Sequence, residues 1–340
     1  MIFNSEGKKS WKRHASALLG AGAILAVAGC GGGSSNNGGN NGGGGGNTAN
    51  NSALPSVPLV ALTLDNRLIT FNARTPGTST IVTVGGLTTG DILRAIDFRF
   101  AAPSTIAGNG QTGLYAIGRN NNTQQLYRLA ISGSTATATP VGARFRLITT
   151  SPIATSFGFD FNPTVDRIRL IEPVANRNLR LNPNAADGAS PVVDSNATAE
   201  GTQPDGTLSY AASDANNGDN PDAVGAAYTN ADADATTGTT LYVLDAAQNT
   251  LAIQGRADDP ATVGVDETVS PNSGTLFTVA NLGIDITADT GFDISPTGNA
   301  AFISNGNRIY GVSLTSGAVV GGASVADPLG TAIIGLAASS

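Results

Sequence analysis

The sequence contains little of the side-chain chemistry that most enzymes use. Its 340 residues include one His, one Cys, one Met and one Trp. All four, together with the three lysines, lie at or before Cys30. The chain beyond Cys30 therefore cannot form a Ser-His-Asp or Cys-His triad, a Schiff-base or P-loop lysine, a His/Cys zinc site, an iron–sulfur cluster or ordinary haem ligation. Carboxylate, Arg, Tyr, hydroxyl and amide groups remain.

The charge of the chain beyond Cys30 is strongly negative. Of the 18 basic residues, four precede Cys30, and the 14 that follow are all arginine. Since 24 of the 25 acidic residues also follow Cys30, this part has a formal charge of −10. Such a surface repels nucleic acid, so we exclude nucleic acid as a partner. A net negative charge also helps to keep a protein soluble, and this is the simpler interpretation of the charge.

The first 30 residues resemble a bacterial lipoprotein signal. A basic segment is followed by an apolar run over 15–29, which is too short to span a bilayer and is typical of a signal peptide. The run ends in Val-Ala-Gly-Cys, which resembles a lipobox. The resemblance implies cleavage between Gly29 and Cys30 and lipidation of Cys30. Gly31, where an Asp tends to retain such proteins in the inner membrane, points to the outer membrane of a Gram-negative cell.

We therefore divide the chain into a signal peptide (1–29), a tether (30–56) and a folded domain (57–340). The tether is rich in Gly, Asn and Ser and has almost no apolar residues, so it is expected to behave as a flexible coil. The lipid on Cys30 would attach the domain to a membrane of the cell envelope.

The domain consists of short β-type segments, and a strand–polar turn–strand pattern occurs five times. A further strand precedes most of these hairpins, as in residues 96–98, 158–163, 224–228 and 291–296. The first hairpin has no such strand before it, and the apolar C-terminal run 333–337 would supply it. The second strands of the five hairpins begin near Asn66, Gln124, Arg177, Asn249 and Asn307.

This order of elements predicts an all-β fold, a five-bladed β-propeller in which the C-terminal strand closes the N-terminal blade. The fourth strand of the third blade is not identifiable, because residues 183–222 form a long polar insertion. A six-bladed propeller, in which this insertion forms its own blade, is the alternative, and a β-sandwich is the third choice.

Several motifs resemble a bacterial family catalogued as domain of unknown function 4394. The resemblance extends over most of 59–337 and implies a propeller-like extracytoplasmic protein. It implies no activity, substrate or catalytic residue. The motifs that carry it lie at residues 158–163, 166–167, 178–180, 226–230, 240–242, 271–276 and 291–294.

Asp97, Asp160 and Asp293 occupy matching places on three predicted inner strands and are candidate channel carboxylates. They could converge on a cation or a sugar. Alternatively, each could bond backbone amides of its own or the next blade, and a repeated residue is more often such a structural device. Crowded carboxylates would have a raised pKa unless a cation neutralised them.

Asn230, Asp232 and Asp234 alternate as in the start of a calcium loop and are candidate metal ligands. An EF-hand needs Gly and Glu where Ala235 and Leu241 stand, so this segment is not an EF-hand. Ca²⁺ is compatible with such oxygen ligands, whereas soft metals are not. A solvated polar loop is the simpler interpretation, and no cofactor is expected.

We identify no catalytic residue in the sequence. The preferred prediction is a non-enzymatic propeller that binds an extracytoplasmic protein or glycan. The alternatives are a carboxylate-dependent glycan-active enzyme and a calcium-binding propeller. Three arginines near hairpin turns could bind anions, but cross-blade salt bridges are the preferred interpretation. They are Arg67, Arg177 and Arg308.

Overall fold

The computed structural model describes residues 52–100, 112–121, 123–145, 157–183, 205–232, 237–257 and 267–339. The predicted signal peptide, Cys30 and most of the predicted tether lie outside these residues. Within them, every regular element longer than one helical turn is a β-strand. No helix of the described part is long and apolar enough to cross a membrane.

The strands form five consecutive groups, each of which we call a blade. The first blade contains β1 (Pro58–Thr63), β2 (Arg67–Asn72), β3 (Ser79–Gly85) and, from the C-terminus, β20 (Ile333–Ala338). The second contains β4 (Ile92–Arg99), β5 (Gly113–Asn120), β6 (Thr123–Ser132) and β7 (Thr135–Phe145). The third contains β8 (Gly158–Asn162), β9 (Arg167–Glu172) and β10 (Arg177–Leu181).

The fourth blade contains β11 (Ser209–Tyr210), β12 (Ala223–Tyr228), β13 (Leu241–Asp245), β14 (Thr250–Gln254) and β15 (Thr275–Asn281). The fifth contains β16 (Phe292–Ile294), β17 (Ala301–Asn305), β18 (Arg308–Val312) and β19 (Val319–Ser324). Strands joined by hairpins within a blade pair antiparallel. β11 pairs with β15 and not with β12. β3 of the first blade also pairs parallel with β7 of the second, so that these two blades share one eight-stranded sheet.

The C-terminal strand closes the first blade, as the sequence predicted. β20 pairs antiparallel with β1, so that strands from the two ends of the domain share one sheet. The innermost strands of the five blades also contact one another in sequence: β4 packs against β8, β8 against β12, β12 against β16, β16 against β20, and β20 against β4. A ring of this kind leaves none of its inner strands as an exposed edge. The all-β, propeller-type fold is confirmed.

The core lies between the blades. Five apolar clusters each combine residues of two neighbouring blades, because successive side chains of a strand point to opposite faces of its sheet. One cluster, for example, joins Tyr115 and Ile117 of β5 to Phe159 and Phe161 of β8. Leu54, which precedes β1 and is 1% exposed, packs in the cluster between the first and fifth blades.

The segment from Asp205 to Leu208 lies at the outer side of the third blade and leads into β11 of the fourth. The N–H groups of Asp205 and Leu208 donate to carbonyls of the β9–β10 region, while β11 pairs parallel with β15 of the fourth blade. The described end of the polar insertion therefore bridges two blades. This arrangement favours five blades over six. Residues 184–204 lie outside the described part, so the blade number stays a prediction.

Candidate functional site

The three predicted aspartates lie on inner strands at equivalent positions. Asp97, Asp160 and Asp293 belong to β4, β8 and β16, and they are 4%, 5% and 4% exposed. One carboxylate oxygen of each can be chosen so that the three atoms lie within 4.8 Å of one another. The structure thus brings together residues that are almost 200 positions apart in the sequence. We call this group the aspartate cluster.

Two of these carboxylates connect their own strand to the next inner strand in the same way. Asp97 accepts one hydrogen bond from the N–H of the following residue (2.6 Å) and one from the N–H of Phe161 in β8 (2.8 Å). Asp293 likewise accepts from the following N–H (2.6 Å) and from the N–H of Ala338 in β20 (2.5 Å). Each carboxylate therefore joins two neighbouring blades through their backbones.

Asp160 makes the corresponding bond between the third and fourth blades, since it accepts from the N–H of Tyr228 in β12 at 3.2 Å. The equivalent positions of β12 and β20 are Ala227 and Ala337, which cannot make such a bond. Three of the five contacts between inner strands therefore contain a carboxylate. Each of the three aspartates thus accepts a hydrogen bond from a backbone amide of the next blade. This is the structural alternative that the sequence raised for these residues.

The pKa of every carboxyl in the aspartate cluster is raised. For Asp97, burial is the largest cause and the negative charge of Asp293 adds to it. For Asp160, burial is again first, followed by repulsion from Asp97. Burial raises the pKa of Asp293 to about 7. The cluster therefore retains protons at a pH where an exposed Asp is fully ionised, unless a cation neutralises it.

The burial of the aspartate cluster does not match the carboxylate pair of a glycosidase. Such a pair flanks the scissile bond of the bound sugar, whereas the three side chains are at most 5% exposed.

Of the second group of candidate ligands, Asn230 and Asp232 are described and Asp234 lies outside the described residues. Asn230 has a left-handed backbone (φ 56°), and its amide oxygen accepts from Asn299 of the fifth blade at 2.7 Å. In return, the amide oxygen of Asn299 accepts from the backbone N–H of Asn230 at 2.8 Å. This reciprocal pair joins the fourth and fifth blades, so Asn230 has a structural role.

The three arginines near hairpin turns differ from one another. Arg67 forms ion pairs with Asp65 of its own hairpin turn and with Asp327, in the segment between β19 and β20. Arg308 instead donates to the carbonyl of Gly322 in its own blade (2.6 Å). The Nη1 atom of Arg177 is buried and has no hydrogen-bond partner within the described part of the chain.

A buried polar network that the sequence did not predict joins the third and fourth blades. Arg169 of β9 donates to Asp205 (2.7 Å), Asn178 (2.5 Å) and Asn272 (2.9 Å). Arg180 forms a bidentate pair with Asp205 at 2.9 and 3.0 Å. The only signal in the sequence was a charged residue inside the apolar run of β9, which requires a buried counter-ion. We call this group the arginine–aspartate network.

A shallow cleft lies where β4 and β8 end. At its base Arg99 and Asp166 form a bidentate ion pair in which both side chains are 2% exposed. The guanidinium of Arg99 also lies 5.9 Å from the ring centres of Tyr115 and Phe161. Because Arg99 neutralises Asp166, the cleft presents no free carboxylate of this pair. Its lining residues are Phe98, Arg99, Phe100, Phe161, Asn162, Pro163, Asp166 and Ala231.

Three solved structures are similar to the chain at low identity. A protein from Lactobacillus plantarum is 16% identical, with a TM-score of 0.32, over 82% of this chain and 70% of that one. A luciferin-regenerating enzyme is 11% identical, with a TM-score of 0.34, over 82% and 78%. A putative 6-phosphogluconolactonase from Bacteroides uniformis is 15% identical, with a TM-score of 0.35, over 80% and 83%.

No curated protein matches the sequence. One family model does match, over residues 67–337, which include all but the first strand and the last residue of the ring of blades. The family resemblance found in the sequence motifs is thereby confirmed. The chain belongs to the family described as Domain of unknown function (DUF4394).

Proposed function

We propose that the chain is a lipid-anchored, extracytoplasmic β-propeller that binds a partner molecule and does not catalyse a reaction. One observation carries the non-enzymatic part: each carboxylate of the aspartate cluster accepts a backbone N–H of a neighbouring inner strand. A nucleophile or general acid must reach its substrate, whereas these side chains are at most 5% exposed. Their role is to connect blades.

The membrane-bound part of the proposal is supported by the sequence around Cys30. A lipid on this residue, followed by the Gly/Asn/Ser-rich tether, would hold the domain at the envelope, on the outer membrane of a Gram-negative cell. Wild-type protein expressed in such a cell should partition into the detergent phase. A Cys30→Ser variant should remain in the aqueous phase, and its continued partition into detergent would refute lipidation.

The partner in this proposal is an extracytoplasmic protein or glycan. The chain beyond Cys30 contains 24 acidic residues and 14 arginines, which disfavours nucleic acid as a ligand. A propeller also offers two broad faces made of the loops between its strands, and loops held by a rigid scaffold are the usual location of binding residues.

Turnover assays separate this proposal from the glycan-active alternative. We expect no hydrolysis of a panel of chromogenic glycosides above the buffer rate, with wild type or with Asp160→Asn. The Asn side chain can still accept from Tyr228 and should leave the fold intact. Hydrolysis by wild type that is lost in Asp160→Asn at unchanged Tm would overturn the non-enzymatic assignment.

A cation-binding role is the second candidate, and the separation of the carboxylate oxygens favours it. Three oxygen atoms within 4.8 Å of one another fit a shell around Ca²⁺, whose oxygen ligands lie about 2.3–2.6 Å away. If Ca²⁺ binds there, it should raise the Tm of wild type relative to EDTA and leave that of Asp160→Asn unchanged. An equal Tm of wild type in Ca²⁺ and in EDTA would exclude this role.

A further inference from the structure

At each inner strand, one residue lies three positions before the place that an aspartate of the cluster occupies in β4, β8 and β16. This residue can be compared between the five blades. In four of the blades the residue at this place is buried and uncharged. It is 3%, 1%, 1% and 2% exposed in the third, fourth, fifth and first blades. Arg94 occupies the same place in the second blade and is half-buried. The uncharged residues are Phe157, Val224, Thr290 and Ile334.

The backbone at this place is the same in several blades, so only the side chain of Arg94 is unusual. The pairing of β4 with β5 shifts between Leu93 and Ala95, which leaves Arg94 as the extra residue of a β-bulge. β12 and β20 have the same shift, at Val224 and Ile334. Bulges redirect side chains and are common beside functional sites. The fold therefore accepts an apolar residue here and does not require arginine.

The guanidinium of Arg94 is incompletely compensated. Among the described residues, its buried Nε atom has no hydrogen-bond partner, and no carboxylate lies within 4.0 Å of its nitrogen atoms. Its pKa is lowered by burial and, secondly, by repulsion from Arg119, while Asp289 has a weaker opposite effect. Arg119 of β5 pairs with Ile92, two positions before Arg94 in β4, so the two arginines lie on adjacent strands, and the first of them has too few acceptors.

These groups lie at the end of the ring axis where the inner strands begin. Arg94 and Arg119 belong to the second blade, whereas Asp289 precedes β16 of the fifth blade, which is not its neighbour. The attraction between Arg94 and Asp289 therefore acts across the axis. Arg94 lies three positions before Asp97, which is about 10 Å along a strand. Arg119 also donates from Nε to the carbonyl of Asn121 (2.7 Å) and is attracted by Glu172.

We propose that Arg94 and Arg119 form a binding site for an oxyanion, the phosphate or carboxylate group of a small ligand, at this end of the axis. An oxyanion bound by the two guanidinium groups would offset their repulsion and supply an acceptor for the Nε–H group of Arg94. The site would face the loops of the propeller. The proposal therefore specifies a ligand class for the proposed binding function and rests on that function.

The test uses Arg94→Val, which introduces the residue that the fourth blade has at this place. Inorganic phosphate and acetate are titrated separately into wild type and variant in low-chloride buffer, and binding is followed by calorimetry and by Tm. We expect saturable binding of at least one anion to wild type, and a loss of affinity on the order of tenfold or more in Arg94→Val. The stronger anion identifies the source of the oxyanion group. Without anion, the Tm of Arg94→Val should equal or exceed that of wild type.

Arg308→Gln is the matched control, because Arg308 bonds a carbonyl of its own blade. It should leave anion affinity unchanged. Three results would overturn the proposal: no saturable binding of either anion to wild type up to about 10 mM, equal affinity of Arg94→Val and wild type, or a lower Tm of Arg94→Val without anion, which would make Arg94 a structural residue. These results are independent of the glycoside assay and of Cys30, so failure of the anion site can be distinguished from failure of the proposed function.

Discussion

The aspartate cluster on the inner strands and the arginine–aspartate network of the third and fourth blades both bury charged groups, but they stabilise them differently. In the network, Asp205 lies between two guanidinium groups, those of Arg169 and Arg180. In the cluster, three carboxyl groups lie together, and their described partners are backbone N–H groups and one another. One region uses opposite charges, and the other needs shared protons or a bound cation.

The aspartate cluster predicts a stability that depends on pH. Burial raises the pKa values of its three carboxyl groups, and that of Asp293, about 7, lies between pH 5 and 8. Since the chain beyond Cys30 contains no His, few other side chains titrate there.

The largest effect is expected from removing Asp205. In Asp205→Ala the buried guanidinium of Arg169 loses its counter-ion and Arg180 loses its bidentate partner. Breaking a buried pair in this way costs about 3–5 kcal/mol of the free energy of unfolding, which urea denaturation would measure. The exposed Asp219 is the matched control, and Asp219→Ala should change stability by less than about 0.5 kcal/mol. A similar small change in both variants would show that the network contributes nothing.

A smaller effect is expected from Asp160→Ala in the aspartate cluster. The N–H of Tyr228 loses its acceptor in a buried place, which costs about 1–3 kcal/mol. Asp160→Asn retains an acceptor and gains an amide that can donate to Asp293, so at neutral pH it should be closer to wild type than Asp160→Ala is. If Asp160→Asn is the less stable variant at pH 8, the interpretation of Asp160 as a bond between blades is wrong.

The smallest effect is expected at the outer ion pairs of Arg67. Its partners Asp65 and Asp327 lie at 2.7 and 3.1 Å, but Arg67 and Asp65 are partly exposed to solvent. Such pairs contribute about 0–1 kcal/mol, so Arg67→Gln should lower the urea midpoint slightly, and less so in 1 M salt. A loss larger than that of Asp160→Ala would contradict the ranking of inner over outer contacts.

Much of the fold could be predicted because the repeat is visible in the sequence. Asp97, Asp160 and Asp293 follow the same local pattern, so their equivalence on inner strands was evident before their proximity was known. The closure by β20 followed from a hairpin that lacks its first strand. Repetition converts local patterns into predictions about three-dimensional position.

The parts that could not be predicted depend on contacts without a local pattern. Residues 205–208, which lie at the outer side of the third blade, contain few apolar side chains and no alternation. Arg169 obtains its partners from four separate segments, the most distant being Asn272, 103 positions away. The four partners are Asn178, Asp205, Tyr228 and Asn272. The sequence also left open whether the three aspartates converge on a cation or sugar or bond backbone amides, because both roles require the same residues.

The most direct test of the account is the urea midpoint of wild type at pH 5.5 and pH 8.0 in EDTA, compared with that of Asp160→Asn. The carboxyl groups of the cluster have pKa values above their unfolded values near 4, so their contribution to stability is complete below that pH and is lost as pH rises through the folded values. We therefore predict a lower midpoint at pH 8.0 than at pH 5.5 for wild type. The difference should be smaller for Asp160→Asn, which has one fewer titrating group. A wild-type midpoint in EDTA that is equal or higher at pH 8.0 would contradict the account.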